Sequence, residues 1–341
     1  MLGCSTTDRQ QLSQTAQERK RALAQKVIID ADPGIGDAVA IALAVFDPAI
    51  DVLAVTATAG CVSCRTATRN VQAIIEFLDP PKWPRLGRAE SDVAHSRIRV
   101  GEEGLVPALL SGETGLGDFQ FNVAELHHLH DSAKLMIDLV RSHPNEVTLL
   151  TLGPLTNLAI ASERAPEFLS LLNRLVCLGG AVRCGGDVTA SAEFNIFADP
   201  LAARNVLRSP ATKTLVPLDV SARVELTFDQ FDRMQSVPTS PLSQMLDQLL
   251  PYAFRAHHEH LGFEGIRLNE IAALAAVAQE RLFESRSDAV DVETRGELTR
   301  GMTVFDRRGV LQWQTNIDVL CDVDAQGVLD YFTRTLRRAA V

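Results

Sequence analysis

Residues 27–46, VIIDADPGIGDAVAIALAVF, decide how the rest of the chain is read. Val27, Ile28 and Ile29 form an apolar, β-branched run of the kind that makes a buried strand. Asp30, Asp32 and Asp37 follow, with Pro33, Gly34 and Gly36 between them, and beyond Asp37 the residues Ala, Val, Ile and Leu take over with helical character. Strand, acidic Gly/Pro turn and helix make the first βα unit of an open α/β sheet, and such sheets bind ligands at the carboxyl ends of their strands. Asp is also an ordinary turn former and helix N-cap. Three in one turn need a further reason, because confined like charges repel and raise one another's pKa. A metal or phosphate site supplies it, and a hard cation such as Ca2+ takes several oxygen ligands at about 2.3–2.6 Å.

Working outward, strands and helices alternate. Residues 52–58 read as a second buried strand ending at Ala59-Gly60-Cys61, and residues 65–78 as a helix with Val71, Ile74, Ile75 and Leu78 on one face. Pro80, Pro81 and Pro84 break it, with Trp83 expected to pack in that turn. Residues 87–120 are Gly-rich and weakly periodic, a long loop of the kind that carries function. A helix over 133–141 leads to a strand over 147–152, which runs into Gly153-Pro154-Leu155-Thr156-Asn157 with Thr156 or Asn157 as helix N-cap. Further strands are expected over 174–178 and 213–218. The expected architecture is a single α/β domain over residues 26–341 with a mostly parallel, doubly wound open sheet, preceded by a polar extension over residues 1–25.

Composition excludes several functions. The chain has 341 residues, 46% hydrophobic and 22% charged, and its net charge of -10 with no basic patch argues against a nucleic-acid partner. No apolar run reaches the roughly 18–20 residues of a membrane helix, and residues 1–25 lack the apolar core of a secretory signal. The cysteines, Cys4, Cys61, Cys64, Cys177, Cys184 and Cys321, are scattered and form no disulfide framework, so a cytoplasmic location is expected. Cys61-Val62-Ser63-Cys64 has no second pair at metal-binding spacing and reads as two ordinary thiols.

DADPGIGDAVAIALA resembles the N-terminal motif DxDPGxDDAxA of the nucleoside hydrolases, the inosine-uridine-preferring nucleoside N-ribohydrolases. GPLTN at 153–157, GGA at 179–181, AEFNIFADPLAA at 192–203, Asp219-Val220-Ser221 and ETRGELTRGMTV at 293–304 extend the resemblance over most of the chain. It implies calcium-dependent hydrolysis of the N-glycosidic bond of a nucleoside-like small molecule, in a homo-oligomer (dimer or tetramer). By the same resemblance Ca2+ is held by Asp32, Asp37, the Leu152 carbonyl and Glu270, with Asp32 as the base that activates water and Asp30 in support. Glu193 and Asn195 fall near the 5′-hydroxyl, Asp187 near the 3′-hydroxyl, Phe194 in the pocket lining, and Asn269 and Cys61 at further substrate positions.

Six positions depart from the family pattern. Gly36 stands for Asp and Cys61 for Asn, both on the 2′-hydroxyl side; Ser111 and Asn269 each stand for His, Asp187 for Asn and Glu270 for Asp. Gly36 is expected to open room beside the metal, and the two losses together to weaken discrimination at the 2′ position. His257, His258 and His260 are candidates for a replacement acid. The departures also admit a relative that binds a nucleoside or sugar without turnover. A haloacid-dehalogenase-type phosphatase, suggested by Asp30-x-Asp32, lacks the expected Lys and late acids and leaves AEFN and GPLTN unexplained.

Overall fold

The structure is a computed structural model that describes residues 24–96, 107–119, 123, 129–234 and 239–340. The expected extension therefore lies almost wholly outside the described residues.

The order of elements is β1 (Gln25–Ala31), α1 (Ile35–Phe46), β2 (Ile50–Ala57), α2 (Cys64–Leu78), β3 (Arg85–Arg88), β4 (His130–Asp131), α3 (Ser132–Ser142), β5 (Val147–Thr151), α4 (Thr156–Arg164), β6 (Arg174–Leu178), α5 (Pro200–Leu207) and β7 (Lys213–Val216). The chain continues through β8 (Glu225–Thr227), α6 (Pro241–Leu261), β9 (Gly265–Arg267), α7 (Asn269–Ala278), β10 (Phe283–Asp288), β11 (Val290–Val292), β12 (Thr303–Phe305), β13 (Ile317–Val323) and α8 (Ala325–Ala339).

Nine strands form one sheet in the order β10-β13-β7-β6-β5-β1-β2-β3-β4. Its pairings are parallel except at the β10–β13 edge. The winding reverses between β1 and β5, which is the switch point where open α/β sheets hold ligands. Side chains alternate across the strand: Val27, Ile29 and Ala31 join the core under α1, α6, α7 and α8, while Ile28 joins the core under α3, α4 and α5. With both faces covered, β1 reads as an unbroken apolar run, as parallel strands do. Helix α1 is buried on nearly every side, which accounts for its lack of a polar face. Its C-terminal end is tied to α8, where the Tyr331 hydroxyl donates to Asp47 Oδ2 at 2.8 Å.

Local departures from expectation have local causes. Trp83 is half exposed, its indole N–H donating to Asp79 Oδ1, so it does not pack in the proline turn. The strand at 213 stops at Val216 because Pro217 follows. Helix α4 starts at Thr156 with Leu155 at the N-cap and no side-chain cap, because both expected cap residues are used elsewhere. The long loop carries two short helices, Val93–Ser96 and Pro107–Ser111. Among the described residues no helix is long and apolar enough to cross a membrane.

Candidate active site

One pocket opens at the carboxyl ends of β1, β5, β6 and β7, and its lining brings together Asp32, Asp37, Leu152, Glu193, Asn195 and Glu270. Asp32 lies one residue beyond β1 and is almost fully buried. Its Oδ2 accepts the Cys61 backbone N–H at 2.7 Å. Two glycines make room for this carboxylate: a Cβ on Gly60 would stand 2.0 Å from Oδ2, and one on Gly153 would stand 2.4 Å from Oδ1. Burial, then the charge of Asp37, pushes the Asp32 pKa well above the carboxylate range.

Asp37 sits in the first turn of α1, where a helix terminus favours an acid. Its Oδ2 accepts the Gly34 N–H at 2.9 Å, while buried Oδ1 has no partner. Burial raises its pKa to about 6. Asp30 lies beneath, aligned with Thr56 on β2 and Thr151 on β5. The Thr56 hydroxyl (2.7 Å) and the Asn157 amide (2.9 Å) both donate to Oδ1, Oδ2 is unpartnered, and burial lifts its pKa to about 7. Asn157 also donates to the Ala57 carbonyl, so this residue of GPLTN holds the acid under the site rather than capping α4.

Glu270 reaches the pocket from the first turn of α7. Its carboxylate lies over Gly36: a Cβ there would stand 2.1 Å from Oε2, 2.3 Å from Cδ and 2.7 Å from Oε1. The expected room beside Gly36 is therefore not open; Glu270 fills it. Burial, then Asp37, raises the Glu270 pKa to about 8. Beside it, the buried Oδ1 of Asn269 has no partner.

The opposite wall is built from the AEFN segment. Glu193 caps the helix Phe194–Ala198, with Oε1 accepting from the Asn195 N–H and Oε2 from the Ile196 and Gly180 N–H groups. The Asn195 amide nitrogen donates to the Leu152 carbonyl at 2.7 Å and the Leu178 carbonyl at 3.1 Å, joining the ends of β5 and β6. Asp187, at the open rim, accepts the Phe194 N–H at 2.9 Å, and buried Phe194 lines the pocket. All four residues expected at the sugar are in the pocket, but Glu193 and the Asn195 nitrogen are spent on backbone.

Cys61, Ser111 and His257 also line the pocket, each with a local hydrogen-bond partner. The Cys61 thiol donates to the Asp32 backbone carbonyl, and Cys61 and Cys64 are free thiols. Ser111 is buried, and its hydroxyl accepts the Ile35 N–H at 3.3 Å, helping to satisfy the start of α1 from 76 residues away. Of the three histidines expected as candidate acids, His257 reaches the pocket, while His258 and His260 are exposed on α6. His257 Nδ1 lies 2.9 Å from the Ala253 carbonyl, which can only accept, so Nδ1 carries the proton and Nε2 is an acceptor. Burial lowers its pKa, so the ring is neutral at pH 7.

Among the described residues no three His, Cys, Asp or Glu side chains form a ready-made metal cluster. The donor set is instead mixed, carboxylates with the Leu152 carbonyl, which retains a lone pair beyond the one Asn195 uses. A concentration of buried carboxylates raised by burial and mutual repulsion, with an orphaned Asp37 oxygen, fits a hard divalent cation.

The profile of a family described as inosine-uridine preferring nucleoside hydrolase matches residues 27–330, and the chain belongs to this family. It is 33% identical over 315 residues to the non-specific ribonucleoside hydrolase RihC of Escherichia coli strain SMS-3-5, covering 92% of this chain and 99% of that protein. It is 32% identical over 317 residues to the pyrimidine-specific ribonucleoside hydrolase RihA of Shewanella woodyi, covering 92% and 98%. Among solved structures, a plant nucleoside hydrolase, the PpNRh1 enzyme, superposes with a TM-score of 0.82 at 28% identity over 92% of this chain and 99% of that one. The purine-preferring ribonucleoside hydrolase of Gardnerella vaginalis gives 0.81 at 26% identity over 93% and 99%.

Proposed function

We propose that this chain hydrolyses the N-glycosidic bond of ribonucleosides, releasing free base and sugar, and that it works with Ca2+. The observation that carries the reading is the group of buried, mutually repelling carboxylates at the β1/β5 switch point, where the orphaned Asp37 oxygen awaits a partner that the protein does not supply. Asp32, Asp37, Glu270 and the Leu152 carbonyl would hold the cation, which supplies a water of lowered pKa and an anchor for sugar hydroxyls. The Cys61 N–H and the space left by Gly60 and Gly153 hold the Asp32 carboxylate in one orientation. In its charged form Asp32 can take up the proton of the attacking water. Asn157 and Thr56 orient Asp30 below it. On the far wall Asn195 sets the position of the Leu152 carbonyl, and Phe194 offers an apolar surface to the sugar. His257 lines the same pocket, and its neutral ring, with Nδ1 donating to the Ala253 carbonyl, has no proton on Nε2 to give a leaving base.

The test is a screen of purified protein against purine and pyrimidine ribonucleosides, with and without Ca2+, reading release of free base. Release that requires the cation supports the reading. Nucleoside binding without release of any base would assign the protein to binding rather than hydrolysis.

A further inference from the structure

Position 36 and position 270 compete for one volume. All three atoms of the Glu270 carboxyl group fall within 2.7 Å of where a Cβ on residue 36 would stand, closer than non-bonded atoms approach. Residue 36 can carry no side chain while Glu270 is seated as it is. The same device recurs in this pocket, where Gly60 and Gly153 leave space for the Asp32 carboxylate. There the acid comes from the neighbouring strand end; at Gly36 it comes from α7, over 200 residues further along, which packs beside α1 in the same core. Both Gly36 and Glu270 line the pocket.

We propose that Gly36 and Glu270 are one specificity element: the glycine vacates the space, and the glutamate reaches across and presents a carboxylate there as acceptor for a hydroxyl of the bound sugar. This rests on the hydrolase reading for its substrate, and on geometry alone for the pairing. It reverses the expectation drawn from residue types, because the wall that Gly36 leaves bare is refilled with an acceptor. A pocket that keeps a buried acceptor penalises a sugar lacking the matching hydroxyl, because the acceptor is left unpaired.

Two measurements test it. The first is a thermal-melting cycle of wild type, Gly36→Ala, Glu270→Ala and the double variant. Alanine is the better residue in the first turn of α1, so Gly36→Ala should raise Tm when Glu270 is absent. In the wild-type background it must push the carboxylate off its seat, and the gain should be lost or reversed, a difference of about 3 °C or more between backgrounds. Equal Tm shifts in the two backgrounds overturn the pairing. The second is kcat/KM for uridine and inosine against their 2′-deoxy and 3′-deoxy analogues. Wild type should prefer the hydroxyl-bearing substrate over one of the analogues by about 10³-fold or more, and Gly36→Ala should narrow that ratio at least about tenfold. A wild-type ratio within about tenfold for both analogues, or a ratio that Gly36→Ala leaves unchanged in its residual turnover, overturns the hydroxyl assignment. No nucleoside turnover by wild type, with the Tm coupling present, overturns the hydrolase reading and the hydroxyl assignment with it but leaves the pairing standing.

Discussion

The two walls of the pocket are made of the same residue types and do different work. On the β1–α1 side, Asp30 and Asp37 each keep a buried carboxylate oxygen with no partner, and Glu270 leans into the same space from α7. On the AEFN side, both Glu193 oxygens accept backbone N–H groups and the Asn195 nitrogen bridges two strand-end carbonyls. An acid satisfied by its own backbone stabilises the fold; an acid left short of partners costs stability until something else binds. On the first wall Asp37 and Glu270 line the pocket with Asp30 beneath them, short of a partner. On the second, Glu193 and Asn195 line it while holding the backbone of the strand ends and the helix start.

That division can be broken by experiment, and the largest effect should come from the cation. Chelation should bring base release to background, and Ca2+ restored at 100 times its Kd should stabilise the protein by about 2.7 kcal/mol, read as a rise in Tm. Unchanged turnover in the presence of a strong chelator would end the cation reading. Next in size, Asp32→Asn should lower kcat by about 10²–10⁴-fold with no loss in Tm, because it removes a base and one repelling charge together. A Tm collapse would place Asp32 with the structural wall instead. Asn195→Ala should behave in the opposite way. Two buried carbonyls lose their donor, and stability should fall by about 1–3 kcal/mol in denaturant melts. A variant that keeps its Cm and loses only turnover would erase the distinction.

The smallest effect is a slope with pH. Asp37, Asp30 and Glu270 are raised to about 6, about 7 and about 8, from unfolded values near 4. The folded protein thus binds more protons than the unfolded chain in this window. The stability these groups contribute is complete below about pH 4 and is lost as pH rises through about 8. Cation-free protein should therefore melt lower at pH 8 than at pH 6, and Ca2+ should flatten the difference. A rising Tm across the same interval would show the carboxylates to be charged and compensated already.

The sequence made the β1–turn–α1 unit legible because its signals are local: three β-branched residues, then acids spaced by Gly and Pro, then an apolar helix. GPLTN and AEFN were legible as segments for the same reason, and the structure brings AEFN to the pocket wall and GPLTN beneath the site, where Asn157 holds Asp30. What each side chain does there was not. Glu193 caps a helix, and Asn157 holds Asp30 across 127 residues, because partners of that kind are chosen by strand register. Ser111 and Gly36 are the sharper cases. A serine on a distant loop satisfies the start of α1, and a glycine read as empty space is occupied from α7. Neither fact is carried by the residue itself; each is a property of what arrives beside it. Gly60 and Gly153 did leave a trace, a glycine just beyond each of two strand ends, which is where a carboxylate needed clearance.

The bond between Tyr331 and Asp47 spans 284 residues, and this gives the site a chronology. The acidic turn and α1 are synthesised well before the helix that braces α1 from behind. At ribosomal rates of about 5–20 residues per second, the interval is on the order of 15–60 seconds. Through that interval α1 lacks the bond that braces its C-terminal end. Premature termination before Tyr331 would leave the turn written in full and the far end of α1 without that bond.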